Sequence, residues 1–249
     1  MRRISDAAPV SFYTRFLRAI ITPPKRINAN EVIATARLLC HPYRKEMVPI
    51  YHSWMQDKGL RDSTKSELLT LAEEYQVQAG VLDDDDRLTF IFFDAASATA
   101  TSSRNTTFSH TTSALGEASL FMLDAHRARD DYWNGVGNGS VAEVMVMVGE
   151  SSARRKGFAK ETLIALLRYS AIRRDVRGFV AKISMDNDAS QALFLSIGFK
   201  IARVMIEKKE IHMIFEWTGV LVEFDEPDND NEQDFRILQT PAGYSTSFC

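Results

Sequence analysis

The chain has too few cysteines for a disulfide framework. Only Cys40 and Cys249 occur among its 249 residues, and they lie far apart in the sequence. Small secreted domains that depend on disulfides are much richer in cysteine. We therefore expect a reducing compartment, and the cytoplasm is the predicted location.

Long apolar runs and a large excess of one charge are also missing. No stretch approaches the roughly 20 apolar residues of a membrane-spanning helix, so no membrane partner is expected. The formal net charge of −3 argues against a general nucleic-acid binder. Apolar residues make up 45% and charged residues 25% of the chain, as in an ordinary globular protein of one large or two small domains.

The first 30 residues are predicted to be an extension of the domain. Phe12, Phe16 and Ile20 are spaced to share one face of a short amphipathic helix. The basic Met-Arg-Arg start also permits a transit peptide, although Asp6 argues against one. Both interpretations of this extension stay open at the level of sequence.

Two later segments are predicted to lie outside the folded core. Residues 95–113 are rich in Ser, Thr and Ala, which is typical of a flexible surface insertion. Residues 225–249 begin with an acidic run and are predicted to form a tail, whose end the apolar residues of 235–238 could anchor. The domain itself is therefore expected to span 31–224.

The remaining pattern predicts alternating strands and helices. Before the central turn we expect, in order, a strand, two helices and three further strands: 34–40, 44–56, a helix after Thr70, 88–93, 115–123 and 141–148. The stretches 58–64 and 124–140 are predicted to be loops. The four aspartates of 83–86 lack the ligand spacing and the glycine of a calcium loop, so they predict a turn and no metal site.

The strongest functional signal is a basic turn between a predicted strand and a predicted helix. It consists of Arg154, Arg155, Lys156, Gly157, Phe158 and Ala159. The unpaired N–H groups and the dipole at a helix start attract anions, and Gly157 lets the backbone approach a ligand closely. Three adjacent cations favour a polyphosphate, although a basic surface turn is the plainer interpretation of this stretch alone.

Glu143 interrupts the apolar strand 141–148. A carboxylate within a buried strand has to be paired, protonated or functional. A salt bridge at the end of the sheet and a general base at the mouth of a cleft both fit this position.

Three motifs in one order resemble those of the GCN5-related N-acetyltransferase (GNAT) superfamily. The turn from Arg154 fits Arg-x-x-Gly-x-Ala, which resembles the superfamily's acetyl-coenzyme A loop; Glu143 stands eleven residues before it; and 187–199 is similar to the second signature. The resemblance implies an α/β (α+β) GNAT fold. That fold has a mixed central sheet of about seven strands, flanked by helices and splayed at the acetyl-coenzyme A site.

The resemblance also implies an activity, a co-substrate and a set of site residues. The expected enzyme is an N-acetyltransferase that moves the acetyl group of acetyl-coenzyme A to an amine without a metal. Glu143 is the implied catalytic base. The implied cofactor contacts are the backbones of Met147 and Val148, the residues of the 154–159 turn, and Asn187 and Ser190 of the second signature.

A closer resemblance covers about residues 36–217 and is carried by the segments Pro42-Tyr43, 51–55, 69–71, 74–75, 90–94, 143–147 and 181–183. These segments resemble the N-acetyltransferase 9 family, whose proposed substrate is α/β-tubulin. This resemblance implies a protein amine as substrate, with tubulin as the candidate. It says nothing of the oligomeric state.

One residue departs from the superfamily pattern. Phe194 stands where many members carry a tyrosine that acts as general acid, and a phenyl ring cannot donate a proton. The departure leaves two alternatives open beside a protein acetyltransferase. One is a coenzyme-A-binding, microtubule-associated module with little catalysis, and the other is an acetyltransferase for small-molecule amines.

Overall fold

A computed structural model of the chain describes residues 30–97, 114–218 and 235–239. The strands are β1 (Glu31–Ala34), β2 (Leu38–Pro42), β3 (Arg87–Asp94), β4 (Ala114–Leu123), β5 (Ser140–Val148), β6 (Val176–Ser184), β7 (Lys200–Met205), β8 (Glu210–Glu216) and β9 (Arg236–Gln239). They form one sheet in the order β7-β8-β6-β5-β4-β3-β2-β1-β9. Only β5 and β6 pair in parallel among these strands, so the predicted mixed sheet is confirmed.

Helices cover both faces of this sheet. They are α1 (Val48–Trp54), α2 (Lys58–Thr64), α3 (Leu71–Asp83), α4 (Ala125–Trp133), α5 (Phe158–Arg174) and α6 (Asp188–Ile197). On one face, Leu163 and Leu166 of α5 pack among sheet residues such as Phe90. On the other face, Trp54 of α1 and Leu60 of α2 form a second core cluster with sheet residues. The sheet is therefore buried on both sides near its centre.

Two helices occur where loops were predicted, so both loop predictions are wrong. At the start of α2 the Asp57 side chain accepts a hydrogen bond from Gly59 N at 2.8 Å, and Leu60 is buried. At the start of α4 the Asp124 side chain accepts from Arg127 N at 3.0 Å. Both helices are short and are held by caps and by few buried residues. They consequently lack the extended apolar stripe that identifies a helix in a sequence.

The edge of the sheet that β2, β1 and β9 form also differs from the prediction. The predicted strand 34–40 is wrong, because the chain turns within it: Thr35 N donates to Leu38 O at 2.9 Å, and β1 pairs with β2. The predicted count of about seven strands is low partly for this reason. The other extra strand is β9, in which Ile237 pairs with Ile33, so this part of the predicted tail lies against β1.

Several predicted segments cannot be compared with the structure. The predicted extension, the insertion and the acidic run fall mainly in 1–29, 98–113 and 219–234, which lie outside the described residues together with 240–249. The predicted turn after α3 is present, where Asp84 Oδ1 accepts from Asp86 N at 2.9 Å. In the described part of the chain, no helix is long and apolar enough to cross a membrane, and no cluster of three metal-ligating side chains occurs.

An ion pair fixes α4 against the end of β8, and we expect its loss to destabilise the fold. Arg129 has a side chain only 6% exposed and donates to both carboxylate oxygens of Glu216, at 2.9 and 2.7 Å. Arg129→Met should lower the free energy of unfolding by about 2 kcal/mol, because it removes the hydrogen bonds of a buried guanidinium to Glu216 and to Asn138 O. Arg127→Met on the exposed side of α4 is the control for denaturant unfolding. An equal effect of the two changes would contradict this account.

Candidate active site

The two parallel strands at the centre of the sheet separate part-way along their length. β5 and β6 are paired from Ser140 to Glu143, and Glu143 is opposite Val180 in the last recorded pair. β5 nevertheless stays paired with β4 as far as Val148. Residues 144–148 of β5 therefore present backbone N–H and C=O groups toward the gap. The predicted splay of the sheet is confirmed, and Glu143 lies at its apex.

A cavity of about 1180 Å³ fills the gap between the separated strands. It brings together all the predicted site residues except Lys156: Glu143, Met147, Val148, Arg154, Arg155, Gly157, Phe158, Ala159, Asn187 and Ser190. Lys156 contributes a different contact, since its carbonyl oxygen accepts a hydrogen bond from Arg37. Residues that lie far apart in the sequence thus surround one volume.

The backbone of the basic turn has the form of an anion-binding site. Arg155 and Gly157 both have positive φ values, of 64° and 83°. Helix α5 begins at Phe158, and no side chain caps its first N–H groups. Alternating left-handed residues before a helix start direct several N–H groups into one concavity, which the helix dipole makes attractive to anions. This geometry fits a pyrophosphate.

Arg154 and Arg37 hold the turn in place. Arg154 donates to the carbonyl oxygens of Val148 and Gly149, at 3.2 and 3.3 Å, and so ties the turn to the end of β5. Arg37, in the bend between β1 and β2, pairs with Glu161 at 2.6 Å and lies over the Phe158 ring at 4.9 Å. Arg37 was not among the predicted site residues, because contacts across 119 and 124 positions leave no spacing signal in a sequence.

Glu143 forms an ion pair at the apex of the gap. Lys182 Nζ lies 2.6 Å from Glu143 Oε2, and both side chains are partly exposed to the cavity. Burial lowers the pKa of Lys182, but the hydrogen bond and the charge of Glu143 outweigh burial and raise that pKa above its usual value. The position therefore combines the two interpretations of Glu143, an ion pair and a carboxylate at the mouth of a cleft.

The second predicted signature forms the start of α6. Asn187 Oδ1 accepts a hydrogen bond from Ser190 N at 3.0 Å, so the asparagine caps the helix beside the cavity. Phe194 also borders the cavity, and its ring meets that of Phe199 edge-on at 4.9 Å. Phe194 is therefore a packing residue and offers no proton to the cavity.

A chain of polar side chains continues from the cavity toward α4. Lys65, the residue after α2, donates to Glu210 Oε1 of β8. Glu210 Oε2 lies 3.0 Å from His212 Nε2, and His212 Nδ1 lies 2.9 Å from Tyr132 OH. The hydrogen bond from Lys65 lowers the pKa of Glu210, which keeps the carboxylate ionised. No sequence motif indicated this network, whose members come from three separate elements.

Comparison with known proteins agrees with this geometry. The family model described as "Acetyltransferase (GNAT) domain" matches residues 37–200. The alpha/beta-tubulin-N-acetyltransferase 9 of Drosophila melanogaster is 34% identical over 194 residues, which cover 77% of this chain and 86% of that protein. The chain belongs to the GNAT acetyltransferase family. It is accordingly an N-acetyltransferase.

Solved structures of other acetyltransferases share the fold. Spermidine N-acetyltransferase from Vibrio cholerae, in complex with coenzyme A and spermine, has a TM-score of 0.56 at 16% identity, covering 72% of this chain and 95% of that one. RimL, a ribosomal L7/L12 α-N-protein acetyltransferase in complex with coenzyme A, has a TM-score of 0.55 at 16% identity, covering 74% and 96%. At this identity the likeness extends to the fold of the acetyltransferase and not to its acceptor.

Proposed function

We propose that this acetyltransferase transfers the acetyl group of acetyl-coenzyme A to an amine of a protein, and that tubulin is the candidate substrate. The observation that carries the proposal is one cavity that joins an anion-binding turn to a carboxylate at the apex of two separated strands. The name of the Drosophila relative supplies the candidate substrate. A cytoplasmic location is part of this proposal, and no nucleic acid or membrane partner is included in it.

The residues of the turn fit the charged part of acetyl-coenzyme A. The first N–H groups of α5, at Phe158, Ala159 and Lys160, would bind the pyrophosphate, together with the positive charges of Arg155 and Lys156. Arg154 would act mainly by fixing the turn, because its guanidinium is bonded to β5. Gly157 is required for its positive φ and for close approach of the ligand.

The opened edge of β5 fits the pantetheine arm and the thioester. Backbone groups of Met147 and Val148 face the gap, where an extended arm would pair with them as an added strand does. The same N–H groups would stabilise the oxyanion that develops on the thioester carbonyl. Asn187 and Ser190 border the opposite wall through the capped start of α6, where they would contact the arm.

Glu143 is proposed as the general base. An amine attacks a thioester only as the neutral species, so a group beside it must take its proton. The position of Glu143 at the apex of the gap supports this role, and an entering ammonium group would replace Lys182 as its partner. Phe194 cannot protonate the leaving group, so either another group does so or coenzyme A departs as a thiolate. An ordinary thiol has a pKa of about 8.5.

Two alternatives rest on particular observations. The absence of a hydroxyl at Phe194 favours a coenzyme-A-binding, microtubule-associated module with little catalysis. A small-molecule amine as acceptor is the other alternative, because the fold is shared with a spermidine acetyltransferase as well as with a protein acetyltransferase. Assays of acetyl transfer separate the three possibilities. They differ in whether the acetyl group leaves the cofactor and in whether its acceptor is a protein or a small amine.

We expect purified α/β-tubulin to be a better acceptor than spermidine. Protein contacts outside the reacting amine supply binding energy that a small amine lacks, so kcat/KM should be higher for tubulin by at least about tenfold. Release of coenzyme A and mass spectrometry of both acceptors measure this ratio. A higher kcat/KM for spermidine would support the small-molecule alternative. Binding of acetyl-coenzyme A without transfer to either acceptor would support the non-catalytic one.

A further inference from the structure

Lys182 occupies the place that the mechanism gives to an acceptor amine. It follows the point where β6 separates from β5, and its Nζ lies 2.6 Å from Glu143 Oε2. Its side chain is 35% exposed, and it lines the same cavity as Met147 and the anion-binding turn. The amine of Lys182 is thus in contact with the proposed base and has access to the volume proposed for the thioester.

The groups around Lys182 favour the same contact. Besides Glu143, the nearby groups that act on its charge are Tyr132 and Glu210, and His212 is its partner across the β6–β8 pair. Glu210 already bonds Lys65 and His212, and Tyr132 already bonds His212. Glu143 is therefore the group that holds the Lys182 ammonium and the one placed to take its proton.

The other lysines of the cavity differ from Lys182 in this respect. The described residues that line the cavity include three lysines, namely Lys65, Lys160 and Lys182. Lys65 is more exposed than Lys182, at 54%, but its partner is Glu210 and not the carboxylate at the apex. Lys160 lies in the first turn of α5, beside the anion-binding turn. Exposure alone thus predicts that Lys65 reacts faster than Lys182, whereas contact with Glu143 predicts that Lys182 reacts faster.

We propose that Lys182 is an acceptor of its own active site and becomes acetylated on Nζ by bound acetyl-coenzyme A. This inference rests on the proposed function for its acetyl donor and its base. Glu143 takes one proton from the ammonium group, and the neutral nitrogen attacks the thioester carbonyl. The C–N bond forms and the C–S bond breaks. The second amine proton passes to the departing thiolate or to water, which leaves an amide on Lys182 and free coenzyme A.

The modification would change the state of the proposed base. An amide nitrogen carries no charge, so acetylation ends the ion pair between Lys182 and Glu143. Glu143 would then be a carboxylate without a competing cation, available to the ammonium group of an external acceptor. Turnover on an external amine should consequently show a lag that disappears when the enzyme is first incubated with acetyl-coenzyme A.

The test is incubation of the purified full chain with acetyl-coenzyme A, followed by intact mass and peptide mapping over time. We expect Lys182 to be acetylated at least about tenfold faster than Lys65, because a held nucleophile reacts faster than a mobile one. The rate should not depend on protein concentration, since the reaction lies within one chain. Lys58, whose side chain is 79% exposed, reports the purely chemical background.

Variants distinguish this inference from chemical acetylation and from failure of the proposed function. Glu143→Gln and Gly157→Glu should each slow acetylation of Lys182 at least about tenfold and leave Lys58 unchanged. Faster modification of Lys65 or Lys58, or an unchanged Lys182 rate in both variants, would overturn the inference. If acetyl-coenzyme A stabilises the protein but Lys182 stays unmodified, this inference alone fails. If the cofactor gives neither stabilisation nor modification, the proposed function fails with it.

Discussion

Replacing Gly157 by glutamate should abolish the stabilisation that acetyl-coenzyme A gives to this protein. A ligand at 100 times its Kd stabilises the folded state by about 2.7 kcal/mol, if it binds only that state. For a domain of this size the wild-type melting temperature should rise by about 5–10 °C. The variant should show no rise, because its carboxylate lies beside the proposed pyrophosphate site and its side chain is strained at a φ of 83°.

Two matched glycine changes show whether charge or strain causes the loss. Gly80 lies on the exposed side of α3, where an added Cβ meets no atom within 4 Å, so Gly80→Glu should keep the full rise. Gly157→Asn tolerates the left-handed conformation and adds no charge, so it should keep part of the rise. A normal rise in Gly157→Glu would show that acetyl-coenzyme A does not bind at this turn.

Glu143→Gln should lower turnover by about 10² to 10⁴, the usual contribution of a general base. Glutamine has nearly the same shape as glutamate, but it cannot take a proton from the acceptor amine. Binding of acetyl-coenzyme A should hold, because Glu143 lies at the apex of the gap, whereas the anion-binding turn lies beyond the C-terminal end of β5. Thermal shift with acetyl-coenzyme A measures this second expectation on the same preparation.

Lys182→Met is the matched control for the lost ion pair. It removes the same contact from the opposite side but leaves the Glu143 carboxylate in the cavity. If Glu143 only forms a structural ion pair, both variants should lose similar amounts of melting temperature and of activity. If Glu143 is the base, Glu143→Gln should lose far more turnover than Lys182→Met, although the two variants have equal melting temperatures.

Local features of the site could be predicted from the sequence because short segments encode them. The basic turn needs a glycine at a positive φ and a helix directly after it, and Gly157 and α5 provide both. The asparagine at the start of α6 is a helix cap, and its partner Ser190 is three residues away. Glu143 stands out because a carboxylate is unusual within an apolar strand.

Contacts across long stretches of sequence could not be predicted in this way. Lys182 lies 39 positions from Glu143 and Arg37 lies 119 from Lys156, so only the folded structure reveals either contact. Helices α2 and α4 depend on caps and on only one and two buried residues respectively, which leave a weak periodic signal. The strand β9 pairs with β1 although about 200 residues separate them.

The pH dependence of single-turnover acetyl transfer tests the central claim most directly. The measurement compares the wild type with Glu143→Gln at saturating acetyl-coenzyme A and a fixed concentration of tubulin. If Glu143 takes the proton of the acceptor, the wild type should transfer the acetyl group efficiently at a pH well below the pKa of the acceptor amine, because the bound ammonium group is deprotonated in the site. The variant should be slow at that pH, and its rate should rise with pH as the neutral amine forms in solution. A variant that keeps both the wild-type rate and the wild-type pH profile would contradict the assignment of Glu143 as the base.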